Sequence, residues 1–164
     1  MAIKLERIGH CALRVRDVER AKKFYTEVLG FQFMEQDPDH GGVFMSLPSD
    51  GHTIDVSPVD ALEADVPASE GHDRVGLIHI AFKVGSYQAL KEAYETLVAH
   101  GVEVKRLMDH VSQRSIYFSD PDGNGLEIYY ERPNARTLFL QGRGDQDLPF
   151  TFEDPLPSWA ASAR

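Results

Sequence analysis

The chain repeats itself, and this limits its possible folds more than any other feature. "HCALRV" at 10–15 returns as "HIAFKV" at 79–84, and the same offset of 69 residues carries Tyr25 onto Tyr94 and Leu29 onto Val98. Further along, "DGHTIDV" at 50–56 returns as "DGNGLEI" at 122–128, now at an offset of 72, so that Asp55 falls on Glu127 and His52 on Asn124. A short insertion in the second copy separates the two registers and fits the later helix stop, Gly101 against Gly30. Self-similarity at such spacing means one supersecondary unit used twice.

Each copy opens on a period-two run. Cys11, Leu13 and Val15 share one parity, and His10, Ala12, Arg14 and Arg16 the other; in the second copy Ile80, Phe82 and Val84 oppose His79, Ala81 and Lys83. Such alternation reads as a half-buried strand with its histidine on the less apolar face. A helix follows each strand: "DVERAKKFYTEVLG" with Asp17 as N-cap and Gly30 past its end, and "SYQALKEAYETLVAHG" with Ser86 and Gly101 in those roles. Three further short strands are readable per copy, the last two separated by "LPSDGH" and "SDPDGNG". The expected fold is α+β: two tandem βαβββ modules, about 5–57 and 76–131, forming a concave mixed sheet around a metal site. Residues 58–75 read as a linker, residues 1–133 as one domain, and residues 134–164 as an extended C-terminal arm.

Composition narrows the function. At 164 residues the chain can bury about two thirds of its unfolded surface as one domain. Its single cysteine, Cys11, offers no intrachain disulfide, and "MAIKLERIGH" lacks the apolar run of a signal peptide, so a cytoplasmic protein is expected. No apolar stretch approaches the roughly 18 residues of a membrane span. A formal net charge of −9 argues against a phosphate backbone as partner. Nucleic acid and membrane are therefore not expected.

Among the ionisable residues, His40, His72 and His100 sit in loop or helix-end contexts and read as solvated bystanders. His10 and His79 are different, because they occupy corresponding positions of a duplicated strand. Glu127 lies between Leu126 and Ile128, where a carboxylate is costly to desolvate unless paired, hydrogen-bonded or bound to a cation; an ion pair with Arg114 is its ordinary structural explanation. His10, His79 and Glu127 together make a 2-His-1-carboxylate set, which suits iron, nickel, zinc or manganese over calcium and leaves three octahedral positions open.

The pairing of "GHCALRVRDVERAKKFYTEVLGF" with "LIHIAFKV" and "DHVSQRSIYFSDPDGNGLEIYYERP" resembles the vicinal oxygen chelate superfamily (glyoxalase, bleomycin resistance, dioxygenase) over residues 5–133. The last segment looks most like the type I extradiol ring-cleaving, catechol 2,3-dioxygenase-like branch. The resemblance implies a metal-dependent extradiol dioxygenase, a homodimer, that cleaves a catechol-type ring with dioxygen. It makes His10, His79 and Glu127 the ligands of iron(II), with manganese(II) as the other metal. It also makes His110 a hydrogen-bonding partner of the substrate or oxygen intermediate, Tyr117 a partner of a substrate hydroxyl, and His52 the acid-base histidine. The family usually carries a His-His pair followed by "TLA" or "DLA"; here the run is "GHTID", with Gly51 for the first histidine and Asp55 for the small apolar residue.

That departure opens a second reading. Asp55 lies where the glyoxalase I and epimerase branches place a glutamate or glutamine, so it would be a fourth ligand in an isomerase or lyase using nickel(II) or zinc(II). Only two coordination positions would then stay open, enough for a hydroxyketone or enediolate but not for catecholate plus dioxygen. Asp is one methylene shorter than Glu, which favours a place behind the ligands. His52 and Asp55 are three apart and would point to opposite faces of a regular strand, so His52 reaches the pocket only from a turn or bulge. A drug-sequestering member of the superfamily would be expected to lack the metal triad.

Overall fold

The computed structural model describes residues 7–38, 41–59, 77–141 and 148–154. The chain divides into two compact units, 1–68 and 69–164, and each module of the repeat lies in one of them. His40, His72, Trp159 and nearly all of the expected linker lie outside the described residues.

The first unit runs β1 (Cys11–Val15), α1 (Val18–Lys23), β2 (Gln32–Gln36), β3 (Val43–Ser46) and β4 (Ile54–Pro58). Its four-stranded sheet has the order β1-β4-β3-β2, with β1 parallel to β4 and the other pairs antiparallel. The alternation expected for β1 holds: Ala12 and Arg14 are exposed, Cys11 and Leu13 half-buried, and Val15 buried. Asp17 caps α1 by accepting from the Arg20 amide at 2.9 Å, and Gly30 ends the segment at φ +75°, a left-handed conformation that costs a β-carbon dearly.

One detail departs from the sequence expectation of a plain α-helix. After Lys23 the backbone widens into a π-helical stretch, Phe24–Val28, and the Leu29 amide reaches back five residues to the Phe24 carbonyl. The wider turn buries two consecutive aromatics, Phe24 and Tyr25, with Tyr25 edge-on to both Phe24 and Phe31.

The second unit repeats the plan with β5 (Ile80–Lys83), α2 (Tyr87–Ala99), β6 (Val104–Asp109), β7 (Gln113–Ser119) and β8 (Gly125–Glu131). Here β5 is parallel to β8, and β8-β7-β6 continue antiparallel. Ser86 caps α2 through the Ala89 amide at 3.0 Å, and Gly101 closes it at φ +70°. Gly101 follows Ser86 by 15 positions and Gly30 follows Asp17 by 13, so two of the three residues that separate the offsets 69 and 72 are inserted before this helix stop. Both sheets are mixed and the helices few, as α+β modules require.

The first part of the arm is more ordered than "extended" suggests. Ala135–Leu140 forms a short helix, α3, and Leu148–Pro149 adds a strand, β9, to β6. Phe150, just beyond β9, is buried with the Arg114 guanidinium 4.4 Å from its ring centroid.

Candidate functional site

The register shows why the two carboxylates correspond. In the first unit Asp55 is flanked on its sheet by Ala12 of β1 and Phe44 of β3; in the second Glu127 is flanked by Ala81 of β5 and Tyr117 of β7. His10 and His79 each stand one residue before the parallel strand. A small alanine beside each acid leaves room for that histidine to reach it.

In the first unit the chain brings together His10, His52 and Asp55. Oδ2 of Asp55 lies 3.7 Å from Nε2 of His10 and 3.6 Å from Nε2 of His52, and the two imidazole centroids are 4.4 Å apart. His52 lies in the turn before β4, which begins only at Ile54. That turn is fastened to the sheet: the Thr53 amide donates to the Met45 carbonyl at 2.8 Å, and its hydroxyl accepts from the Leu47 amide at 3.0 Å. The Cys11 amide donates to the Thr53 carbonyl at 3.0 Å, so the residues just before each, His10 and His52, are held side by side.

In the second unit the acid is already in contact with its histidine. Nε2 of His79 lies 2.9 Å from Oε2 of Glu127, and the Gln113 side-chain amide donates to Oε1 at 3.0 Å. These bonds offset the desolvation of a carboxylate that is only 3% exposed. Arg114 does not pair with it; its guanidinium donates to Asp109 and to the Tyr87 hydroxyl, both at 2.8 Å.

Tyr117 sits next to this pair. Its ring meets the His79 ring edge-on at 5.5 Å, the Arg106 guanidinium lies 4.3 Å from its centroid, and its hydroxyl is 2.9 Å from His110 Nε2. Burial, and then the charge of Glu127, push the phenol up to about 12, so it keeps its proton at neutral pH. His110 is placed by a tight hairpin. Its amide donates to the Gln113 carbonyl at 2.8 Å, Val111 adopts φ +66°, and the Val111 amide is held by Asp109 Oδ1 at 2.9 Å. A β-branched residue in the left-handed region is strained, and this hairpin sustains it at the residue beside His110.

Two neighbours of the site went unread in the sequence, Gln113 and Arg106. Gln113 shares the parity of Tyr117 four residues along β7, so extending the period-two reading would have found it. Arg106 lies at an irregularity of β6, where strict alternation fails.

The donors fit a divalent metal. Imidazole is a borderline ligand and carboxylate a hard one, and a set that mixes them suits first-row transition ions. Among the described residues, Asp55 Oδ1 is a buried oxygen without a hydrogen-bond partner. In the second unit, His79 Nε2 and Glu127 Oε2, 2.9 Å apart, are the donor atoms a cation would take.

The chain is similar to several known proteins. A catechol-2,3-dioxygenase of Bacillus subtilis (strain 168) is 32% identical over 130 residues, 78% of this chain and 42% of that protein. The chain thus spans less than half the length of that relative. A biphenyl-2,3-diol 1,2-dioxygenase of Rhodococcus globerulus is 26% identical over 162 residues, 96% of this chain and 82% of the other. A metallothiol transferase of Staphylococcus saprophyticus is also similar, 26% identical over 132 residues, 76% of this chain and 77% of that one, so more than one reaction type stands near this sequence. The family model described as Glyoxalase/Bleomycin resistance protein/Dioxygenase superfamily matches residues 7–128, and with the paired βαβββ modules and their repeated histidine-carboxylate positions the chain belongs to that superfamily.

Proposed function

We propose that the protein is a metal-dependent extradiol dioxygenase that opens a catechol-type ring, with His10, His79 and Glu127 as metal ligands. The observation that carries this reading is the asymmetry between the modules. Where the first unit has Phe44 beside its acid, the second has Tyr117, hydrogen-bonded to His110. An enolising isomerase has no evident use for a phenol-imidazole pair at this place, whereas oxygen chemistry on a dihydroxylated ring requires donors for charge that develops on oxygen.

Bound iron(II) or manganese(II) would hold the two substrate oxygens and dioxygen together and pass electron density between them. The residues supply the rest. Tyr117, kept protonated, donates a hydrogen bond to a substrate oxygen, and His110, 2.9 Å from the phenol oxygen, steadies it. Arg106, over the ring of Tyr117, fixes its orientation. Gln113 holds one oxygen of Glu127 and so aims the other. His52, half-exposed at the turn, takes the proton of the second substrate hydroxyl and returns it later in the cycle. The protein works on a small molecule with dioxygen as co-substrate, in the cytoplasm and as a homodimer; the last two rest on the composition and the family resemblance alone.

A second reading has its own support in the approach of Asp55 to His10 and His52. If Asp55 is a fourth ligand, the protein is an isomerase, epimerase or lyase using nickel(II) or zinc(II). The test is anaerobic loading with iron(II) or manganese(II), then a catechol panel and air. The proposal expects oxygen uptake and a yellow ring-fission product; metal-loaded protein that consumes no oxygen across the panel overturns it. Asp55→Ala separates the readings a second time. Iron content close to that of the unaltered protein fits the dioxygenase, and a loss equal to that of His10→Ala fits the isomerase.

A further inference from the structure

We infer that the first unit can hold a divalent cation by itself, through Nε2 of His10, Nε2 of His52 and the carboxylate of Asp55, as a four-coordinate site of zinc type completed by solvent. The spacing is the first argument. At 3.7 and 3.6 Å from Asp55 Oδ2, the two imidazole nitrogens are too far away for good hydrogen bonds, which need about 3.2 Å or less. Ligands bound at about 2.0–2.1 Å around tetrahedral zinc stand roughly 3.4 Å apart. The three groups are thus close to the edges of a coordination polyhedron, and all three donor atoms lie within 4.8 Å of one another.

The second argument is independent of spacing. Asp55 is 9% exposed, and its Oδ1 has no hydrogen-bond partner among the described residues. A buried carboxylate oxygen left in this way is costly unless a cation compensates it. Rigidity is the third. Asp55 is locked in the sheet between Ala12 and Phe44, and the Cys11–Thr53 hydrogen bond fixes both histidine backbones. Phe44, edge-on to His52 at 5.9 Å, adds an apolar wall with no competing donor.

The second unit cannot copy this arrangement. Asn124 stands at the His52 position, and Glu127 already has both oxygens engaged. Because His10 Nε2 can serve only one cation at a time, zinc on the first unit would withdraw it from the iron centre proposed above and inhibit ring cleavage. That competition rests on the proposed dioxygenase, but the zinc site does not.

The test uses tag-free full-length protein and cobalt(II) as a coloured stand-in for zinc. In a His79→Gln, Glu127→Gln double variant, which lacks the donors of the second unit, one equivalent of cobalt should still bind with the intense visible bands of four-coordinate geometry and be displaced by zinc(II). Adding His52→Gln or Asp55→Asn should weaken binding by a hundredfold or more, since even outer partners of ligands are worth about 10–100-fold. A double variant that binds no cobalt, or binding indifferent to His52→Gln, overturns the inference. If circular dichroism shows that the double variant is unfolded, the otherwise unaltered chain is used instead. Four-coordinate bands lost in His52→Gln sustain the site; bands absent from the start, or unchanged in that variant, refute it. Oxygen uptake by the iron-loaded protein is read separately, so failure of the dioxygenase and failure of this site give different results.

Discussion

The two modules share a backbone plan but place their acids in different surroundings. Glu127 is closed: His79 and Gln113 occupy its oxygens, and Tyr117 with His110 stands beside it. Asp55 is open: two histidines approach the same oxygen without bonding it, and the other oxygen has no hydrogen-bond partner among the described residues. The difference follows from a handful of substitutions between the copies, Tyr117 for Phe44, Asn124 for His52 and Glu127 for Asp55. Duplication gives a pair of equivalent positions, and divergence surrounds one acid with hydrogen-bond partners while it leaves the other beside two histidines that do not bond it.

The contrast can be broken most severely at the acids. Glu127→Gln should lower iron affinity by more than about a hundredfold, beyond the 10–100-fold typical of residues that only support a ligand. Metal analysis after gel filtration checks this, and Asp55→Asn should lose much less iron. Next comes the phenol. Tyr117→Phe, which makes the second module resemble the first, should reduce kcat by about 10²–10³-fold with iron content preserved, the usual cost of losing one donor to developing charge. The reverse change, Phe44→Tyr, should affect kcat far less.

Third is the close approach of the start of β8 to the residues before β5, beside His79. A β-carbon on Gly125 would lie 2.4 Å from the Ile78 carbonyl oxygen and 3.3 Å from the His79 β-carbon, whereas one on Gly51 meets nothing within 4 Å. Gly125→Ala should therefore cost about 1–3 kcal/mol in urea unfolding, the range for overpacking, and should also weaken metal binding. Gly51→Ala should be close to neutral. The smallest effect belongs to the surface: Lys83→Ala removes the ion pair with Glu131 and should cost less than about 1 kcal/mol.

Much of this was legible in the sequence because it depends on local rules. Asp17, Ser86, Gly30 and Gly101 mark helix ends through capping and left-handed backbone, and alternation placed His10 and His79 on the less apolar side, where each approaches the acid of its own unit. The equivalence of Asp55 and Glu127 followed from the repeat alone and reappears in the strand registers. What escaped depends on irregular backbone or on contacts across strands. The π-helical turn after Lys23 exists to bury adjacent aromatics, Arg106 lies at a break in β6, and the strand Leu148–Pro149 gains its meaning only by pairing with β6. His52 shows the limit most plainly. Strand parity alone put it on the wrong side of Asp55, and only the start of β4 at Ile54 makes it a turn residue that can turn back toward the acid.

The proposed centre draws ligands from both modules, and anomalous diffraction at the iron absorption edge from crystals loaded anaerobically with iron(II) tests this most directly. A single iron bonded to His10, His79 and Glu127, with Tyr117 and His110 facing its open side, is the expected result. Iron bonded to the donors of one module only, or to Asp55 in place of Glu127, would contradict it.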